Sequence, residues 1–200
     1  MSGILIFLIV AGAIALVATF ILIGIYNQLV TLRNAFENAF SQIEVQLKRR
    51  HDLIPNLIET VKGYMKHEQE TLDAVVKARQ QAVSGLQAAK GDPGNAAAIS
   101  QLAGAEGLLG GSLGRLFALA ESYPDLKANQ NMLQLQEELS DTEDKVALSR
   151  QAFNDAVTAY NTYKQTFPPV VFAAMFGHAK DASLLEFDSE AIQDAPKVEF

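Results

Sequence analysis

No charge appears before Arg33, and residues 4–25 are an almost unbroken run of Ile, Leu, Val, Ala, Phe and Gly. As a helix, these 22 residues extend about 33 Å, enough to cross a hydrocarbon core about 30 Å thick. A secretory signal peptide would carry a basic stretch ahead of a shorter apolar run, and only Met1, Ser2 and Gly3 precede this one. A buried core helix would show polar residues on some face. The segment is read as a membrane anchor, which leaves the rest of the chain to build a fold in water.

Arg33, Lys48, Arg49 and Arg50 follow the run and no Lys or Arg precedes it, so the positive-inside bias predicts an outside N-terminus and a cytoplasmic C-terminal part. Lys and Arg number 16 against 23 Asp and Glu, a formal net charge of -7. That balance argues against nucleic acid, whose phosphates require a basic face. The absence of cysteine excludes disulfides, thiolate nucleophiles and cysteine metal sites.

Beyond the anchor the apolar period is helical. A seam of three- and four-residue steps runs from Leu29 through Phe36, Phe40, Leu47, Ile54, Val61, Met65 and Leu72 to Leu86, and its polar members are Arg50, Glu68 and Arg79. Consecutive four-residue steps around Phe36 and Val61 read as stutters. Flanking Val30, Leu53, Ile58, Val76 and Val83 widen the stripe beyond a two-stranded coiled coil, towards a bundle. Pro55 either kinks this helix or ends it near Arg50, and one kinked rod over residues 29–86, about 87 Å long, is preferred because no turn residues separate Arg50 from Asp52.

A second seam from Met132 to Phe167 predicts a helix of about 38 residues, capped by Asn129 and stopped by Pro168 and Pro169. Between the two lies a shorter helix, opened by the turn Gly91-Asp92-Pro93-Gly94 with Asn95 as cap, and ending at Tyr123-Pro124. Gly104, Gly107, Gly110, Gly111 and Gly114 interrupt it, which implies either close backbone packing against a neighbour or a frayed helix. The expected fold is all-α: one transmembrane helix (residues 1–28), an antiparallel bundle of three to four long helices (29–177) and an acidic tail (178–200).

The stretches YNQLVTLRNAFENAFSQIEVQLKRRHDLIPNLIETVKGYMKHE (residues 26–68) and SYPDLKANQNMLQLQEELSDTEDKVALSRQAFNDAVTAYNTYKQTFP (122–168) closely resemble the LemA family of bacterial membrane proteins. The anchor and the closing APKVEF share the resemblance, so most of the chain is included. It implies a single-pass protein of the bacterial inner membrane with a cytoplasmic helical bundle. One related branch is associated with forming magnetosome membranes, which implies membrane organisation rather than catalysis.

A di-iron bundle requires Glu-x-x-His pairs, yet Lys48 and Tyr64 stand three residues before His51 and His67. His-Glu-x-x-His fails because Thr71 occupies the second ligand position. Both histidines are therefore read as surface residues. Walker, Gly-x-Ser-x-Gly and paired-cysteine signatures are missing too, so a non-enzyme without cofactor, metal or catalytic residues is expected.

Candidate interaction residues fall into two groups. Lys48, Arg49 and Arg50 form a basic run about 35 Å beyond an upright membrane surface, too far for lipid. It reads as a solvated face with a Glu44–Lys48 helical pair, or else as a contact for Glu137-Glu138 or Glu143-Asp144 of a neighbouring helix. The polar seam positions Arg50, Glu68 and Arg79 are expected to pair inside the bundle. The second group, Val170, Val171, Phe172, Met175 and Phe176, is an apolar patch too short to span a bilayer. In an up-down-up bundle it would end away from the membrane, which favours contact with another protomer. The tail from Asp181 onward is expected to be loosely ordered, with Phe187 and Phe200 available to dock on another subunit.

Two functions follow from these readings. The preferred one is a membrane-anchored scaffold that forms homo-oligomers and organises or remodels lipid membrane. The alternative is an adaptor or regulator of another membrane protein, such as a quality-control peptidase.

Overall fold

The computed structural model describes residues 2–65 and 67–187. The fold is all-α, with no strand among the described residues. Helix α1 (Ser2–Lys62) runs as one 61-residue rod from the apolar run into the bundle, with no break at residue 28. Its first part is long and apolar enough to cross a membrane, and none of that window is buried by the rest of the chain.

Pro55 lies within α1, so the helix does continue through the proline. The rod does not reach Leu86, however. It stops at Lys62, where a turn begins, and the chain resumes as α2 (Gln69–Gly91). The backbone N–H groups of Tyr64 and Met65 both donate to the Val61 carbonyl, at 2.9 and 3.0 Å, and Glu68 N–H donates to Met65 O at 3.3 Å. The stutter at Val61 is therefore the end of the helix. Because Val61, Met65, Leu72 and Val75 share one buried cluster, the apolar spacing survives the reversal.

Helix α3 (Ala96–Ala120) follows the predicted turn, and the Asn95 side chain accepts from Ala97 N and Ala98 N. Despite its glycines α3 is unbroken. A short turn, α4 (Pro124–Lys127), leads to α5 (Gln130–Gln165), where Asn129 caps the first amides as expected. At the distal end Asn129 Nδ2 donates to the Tyr64 hydroxyl at 2.9 Å, and the Tyr123 hydroxyl donates to Glu68 at 3.1 Å.

The long helices pack as two principal pairs, α1 with α5 and α2 with α3. The order is down, up, down, up. Among the described residues the bundle therefore has an even number of long helices, and the end of α5 returns to the side of the anchor, not away from it as an up-down-up arrangement would require. The short helix α6 (Pro169–Phe172) and the turn after it sit there, and the Phe176 ring meets Tyr26 edge to face with centroids 5.4 Å apart.

Candidate interaction surfaces

Consecutive helical residues point about 100° apart, so a basic run of three cannot share one face. Lys48 and Arg49 are exposed, whereas Arg50 and His51 turn into the core. The expected Glu44–Lys48 pair is replaced by Glu44 with Lys90 of α2, 2.6 Å apart. Arg50 Nη1 lies 3.4 Å from Glu106 Oε2 on α3, and His51 Nε2 lies 2.7 Å from Glu106 Oε1. Of the two histidines read as surface residues, His67 is exposed and His51 is 2% exposed. The Glu137-Glu138 and Glu143-Asp144 pairs of α5 do not receive the basic run; Glu106 receives Arg50 instead.

Together with Thr142 these groups form a buried polar layer between two apolar clusters, one near the anchor and one distal. A proline at position 55 has no N–H, so the carbonyl of His51, four residues earlier, loses its helical donor. Arg79 of α2 supplies the replacement: its Nε donates to His51 O at 2.6 Å. Two of the three polar seam residues thus find partners inside the bundle, Arg50 with Glu106 and Arg79 with His51 O, whereas Glu68 pairs with Tyr123 at its distal end.

The apolar C-terminal patch divides by contact. Pro169 and Ala173 are buried, while Phe172 and Phe176 pack partly against the core cluster that holds Ile25 and Leu29. Val170, Val171 and Met175 remain exposed, as does Phe167. Gly177, at φ +84°, then turns the chain back along α5, a conformation that costs any other residue steric strain.

Residues 178–187 are packed, contrary to the expectation of a loose segment from Asp181 onward. Asn161 donates to Ala182 O at 2.8 Å and accepts from Ala182 N at 3.0 Å. Asn154, two turns earlier on the same face of α5, does the same for Leu185 at 3.1 and 2.9 Å. This asparagine pair, seven residues apart, was not singled out as functional in the sequence; its spacing on one helix face is the signal. Phe187 packs on its own bundle under the Arg150 guanidinium, 4.8 Å from the ring centroid, rather than waiting for another subunit. Phe200, and the acidic residues Asp188, Glu190, Asp194 and Glu199, lie outside the described residues.

His178 is buried at the start of this strap, with Nδ1 2.8 Å from the Tyr160 hydroxyl. Burial, and then the positive charges of Arg33 and Lys164, hold its pKa below the ordinary histidine value. Burial likewise raises the Tyr160 phenol, with Asp181 and Glu37 adding to the shift against the opposing charge of Arg33. Lys164 is itself buried and ion-paired with Asp181 at 2.5 Å. Among the described residues no cluster of three or more His, Asp or Glu side chains is arranged to hold a metal ion.

The outward face of α3 is unlike the others. Ideal β-carbons built on Gly104, Gly107, Gly111 and Gly114 meet open space, and Leu108 among them is 60% exposed. A groove of about 800 Å³ runs beside them, bounded on its other side by Ser183, Leu184 and Glu186. The close approach expected of a glycine instead occurs on α2, where a β-carbon on Gly85 would stand 3.2 Å from Leu102 Cα.

Comparison with known proteins finds similar chains in bacteria. Magnetosome protein MamQ of Magnetospirillum gryphiswaldense is 28% identical over 72% of this chain and 58% of its own length. Protein LemA of Metamycoplasma hominis is 30% identical over 74% of this chain and 63% of its own. The chain thus spans about three fifths of the length of these curated relatives. The family model described as the LemA family matches residues 39–200, a stretch that takes in the polar layer, all of α2 to α6 and the strap, and the chain belongs to the LemA family.

Proposed function

We propose that this protein is a membrane-anchored, non-enzymatic scaffold whose bundles self-associate and thereby organise the membrane around them. The outward face of α3 carries the reading. A helix facing water normally fills that face with charged residues and good helix formers. Here the 25 residues of α3 contain two charges, Glu106 and Arg115, and Glu106 is turned inward. Each glycine costs about 1 kcal/mol against alanine in a helix interior, a loss that close approach of a second backbone offsets. A second copy of the chain is the occupant that fits a small, nearly uncharged face of this kind.

The buried ionisable groups support the non-enzymatic half of the proposal, since Arg50, His51 and Glu106 neutralise and hydrogen-bond one another inside the core. Membrane association is supported by the exposed apolar run of α1 and by relatives named as magnetosome proteins. The charges that follow the anchor favour a cytoplasmic bundle at the bacterial inner membrane.

Electron microscopy of the full-length protein in mild detergent tests the proposal. Large closed or ring-like particles are expected, and Gly107→Gln together with Gly111→Gln should disperse them while leaving the helical circular dichroism intact. Isolated monomers or dimers of the unaltered protein, or a stoichiometric membrane-protein partner, would overturn it in favour of an adaptor.

A further inference from the structure

We infer that the segment from Phe167 to Met175 is a second membrane contact, a docking element that rests in the headgroup layer of the same bilayer that α1 crosses. The inference rests on the anchor reading of α1. Three observations carry it. The apolar run ends at Ile25, and the run as a helix is only about 3 Å longer than a hydrocarbon core, so Ile25 and Tyr26 lie at the boundary of that core. The C-terminal segment packs at this level: Phe176 meets the Tyr26 ring, and Ala173 shares a buried cluster with Ile25 and Leu29.

Four residues of the segment that do not hold it to α1 are large, apolar and bare. Phe167 is 83% exposed, Val170 52%, Val171 57% and Met175 78%. Side chains of this kind at the polar–apolar boundary belong to interfacial elements that insert a few residues without spanning. Ile21 and Tyr26 of α1, one turn before and one residue after the buried Ile25, are exposed as well, at 50% and 47%, and face lipid if the anchor does. A segment held against Tyr26 and Ile25 at this boundary lies beside the headgroups of the bilayer that α1 crosses, so lipid is the occupant the geometry selects.

The chain contains no tryptophan, so a single introduced indole reports on its own surroundings. Val171→Trp and Met175→Trp are placed in full-length protein reconstituted into phosphatidylcholine–phosphatidylglycerol vesicles, with Ile14→Trp in the anchor and Leu148→Trp on the open flank of α5 as references. Phosphatidylcholine brominated near the carboxyl end of its acyl chains should quench most of the emission at positions 171 and 175, blue-shift it relative to position 148, and leave position 148 unquenched. Quenching by aqueous iodide at 171 and 175 equal to that at 148 would overturn the inference, as would protection from both iodide and bromolipid, the mark of a protein contact. Deep-brominated lipid should quench position 14 in every case. Failure there refutes the anchor itself, whereas quenching at 14 without quenching at 171 or 175 refutes only the docking element.

Discussion

Replacing Arg79 by methionine keeps most of the aliphatic stem and removes the guanidinium that donates to the His51 carbonyl. That bond is short, 2.6 Å, charge-assisted and half-buried, and its acceptor has lost its own helical donor to Pro55. Hydrogen bonds to charged groups contribute about 1.5–3 kcal/mol, and partial exposure places this one near the lower end, about 1.5 kcal/mol. For a chain of this size each kcal/mol moves the midpoint by about 2–4 °C, so Arg79→Met should lower Tm by about 3–6 °C. The Pro55→Ala background supplies the missing N–H within α1, which makes the guanidinium redundant. There Arg79→Met should cost little, giving a coupling energy of about 1.5 kcal/mol across the cycle. Thermal unfolding of the four full-length proteins in one mild detergent, followed by helical circular dichroism, measures it. Additivity within about 0.5 kcal/mol would refute the claim that Arg79 repairs the proline gap.

Other perturbations separate the remaining parts of the account. Gly107→Ala adds a methyl to open space on the isolated protomer and should stabilise it by about 1 kcal/mol in a detergent that keeps the chain monomeric. The same change at Gly85, 3.2 Å from the backbone of buried Leu102, should destabilise by about 1–3 kcal/mol, and denaturant midpoints compare the signs. Glu106→Ala leaves the Arg50 charge buried without its carboxylate and should cost about 3–5 kcal/mol, with Glu106→Gln milder, in the same measurement. His178 has a folded pKa below its unfolded value of 6.5, so the unfolded chain binds the extra proton, and stability should fall as pH drops below 6.5. Arg33 and Lys164 oppose that proton while Asp181 pairs with Lys164, so His178→Phe should flatten the slope of denaturant midpoint against pH between about 5 and about 7.

What was legible in the sequence was local. Asn95 and Asn129 announce their helices because a cap acts on amides two and three residues away, and the Gly91–Gly94 turn is equally self-contained. The reversal between α1 and α2 was hidden because both helices present their stripes to one core, so Met65 and Leu72 keep the spacing of a continuous rod. Nor does Gly63 adopt a positive φ that would mark the stop. Arg50 was readable as a residue needing a partner, but Glu106 lies 56 positions away and no helical period connects them. Metal-ligand spacing gives His51 no role, but its place four after Leu47 and three before Ile54 puts it on the buried stripe.

The lengths of the helices explain why the C-terminal segment is built as it is. Residues 29–62 of α1 rise about 51 Å and the 36 residues of α5 about 54 Å, whereas α2 and α3, with 23 and 25 residues, rise only about 35 and 38 Å. The α2–α3 hairpin therefore falls short of the anchor, and its turn reaches only the level of Phe36, 3.6 Å from a β-carbon built on Gly94. Above that level α1 and α5 would face each other with Ile25, Leu29 and Leu32 uncovered. Pro169, Ala173 and the partly buried Phe172 and Phe176 close this gap, and the asparagine-held strap seals the flank below it. A segment that must cover an apolar core up to the membrane boundary cannot stop short of the headgroups. Its inner side chains complete the bundle, and Val170, Val171 and Met175, left on the other side, are carried to the level where lipid begins.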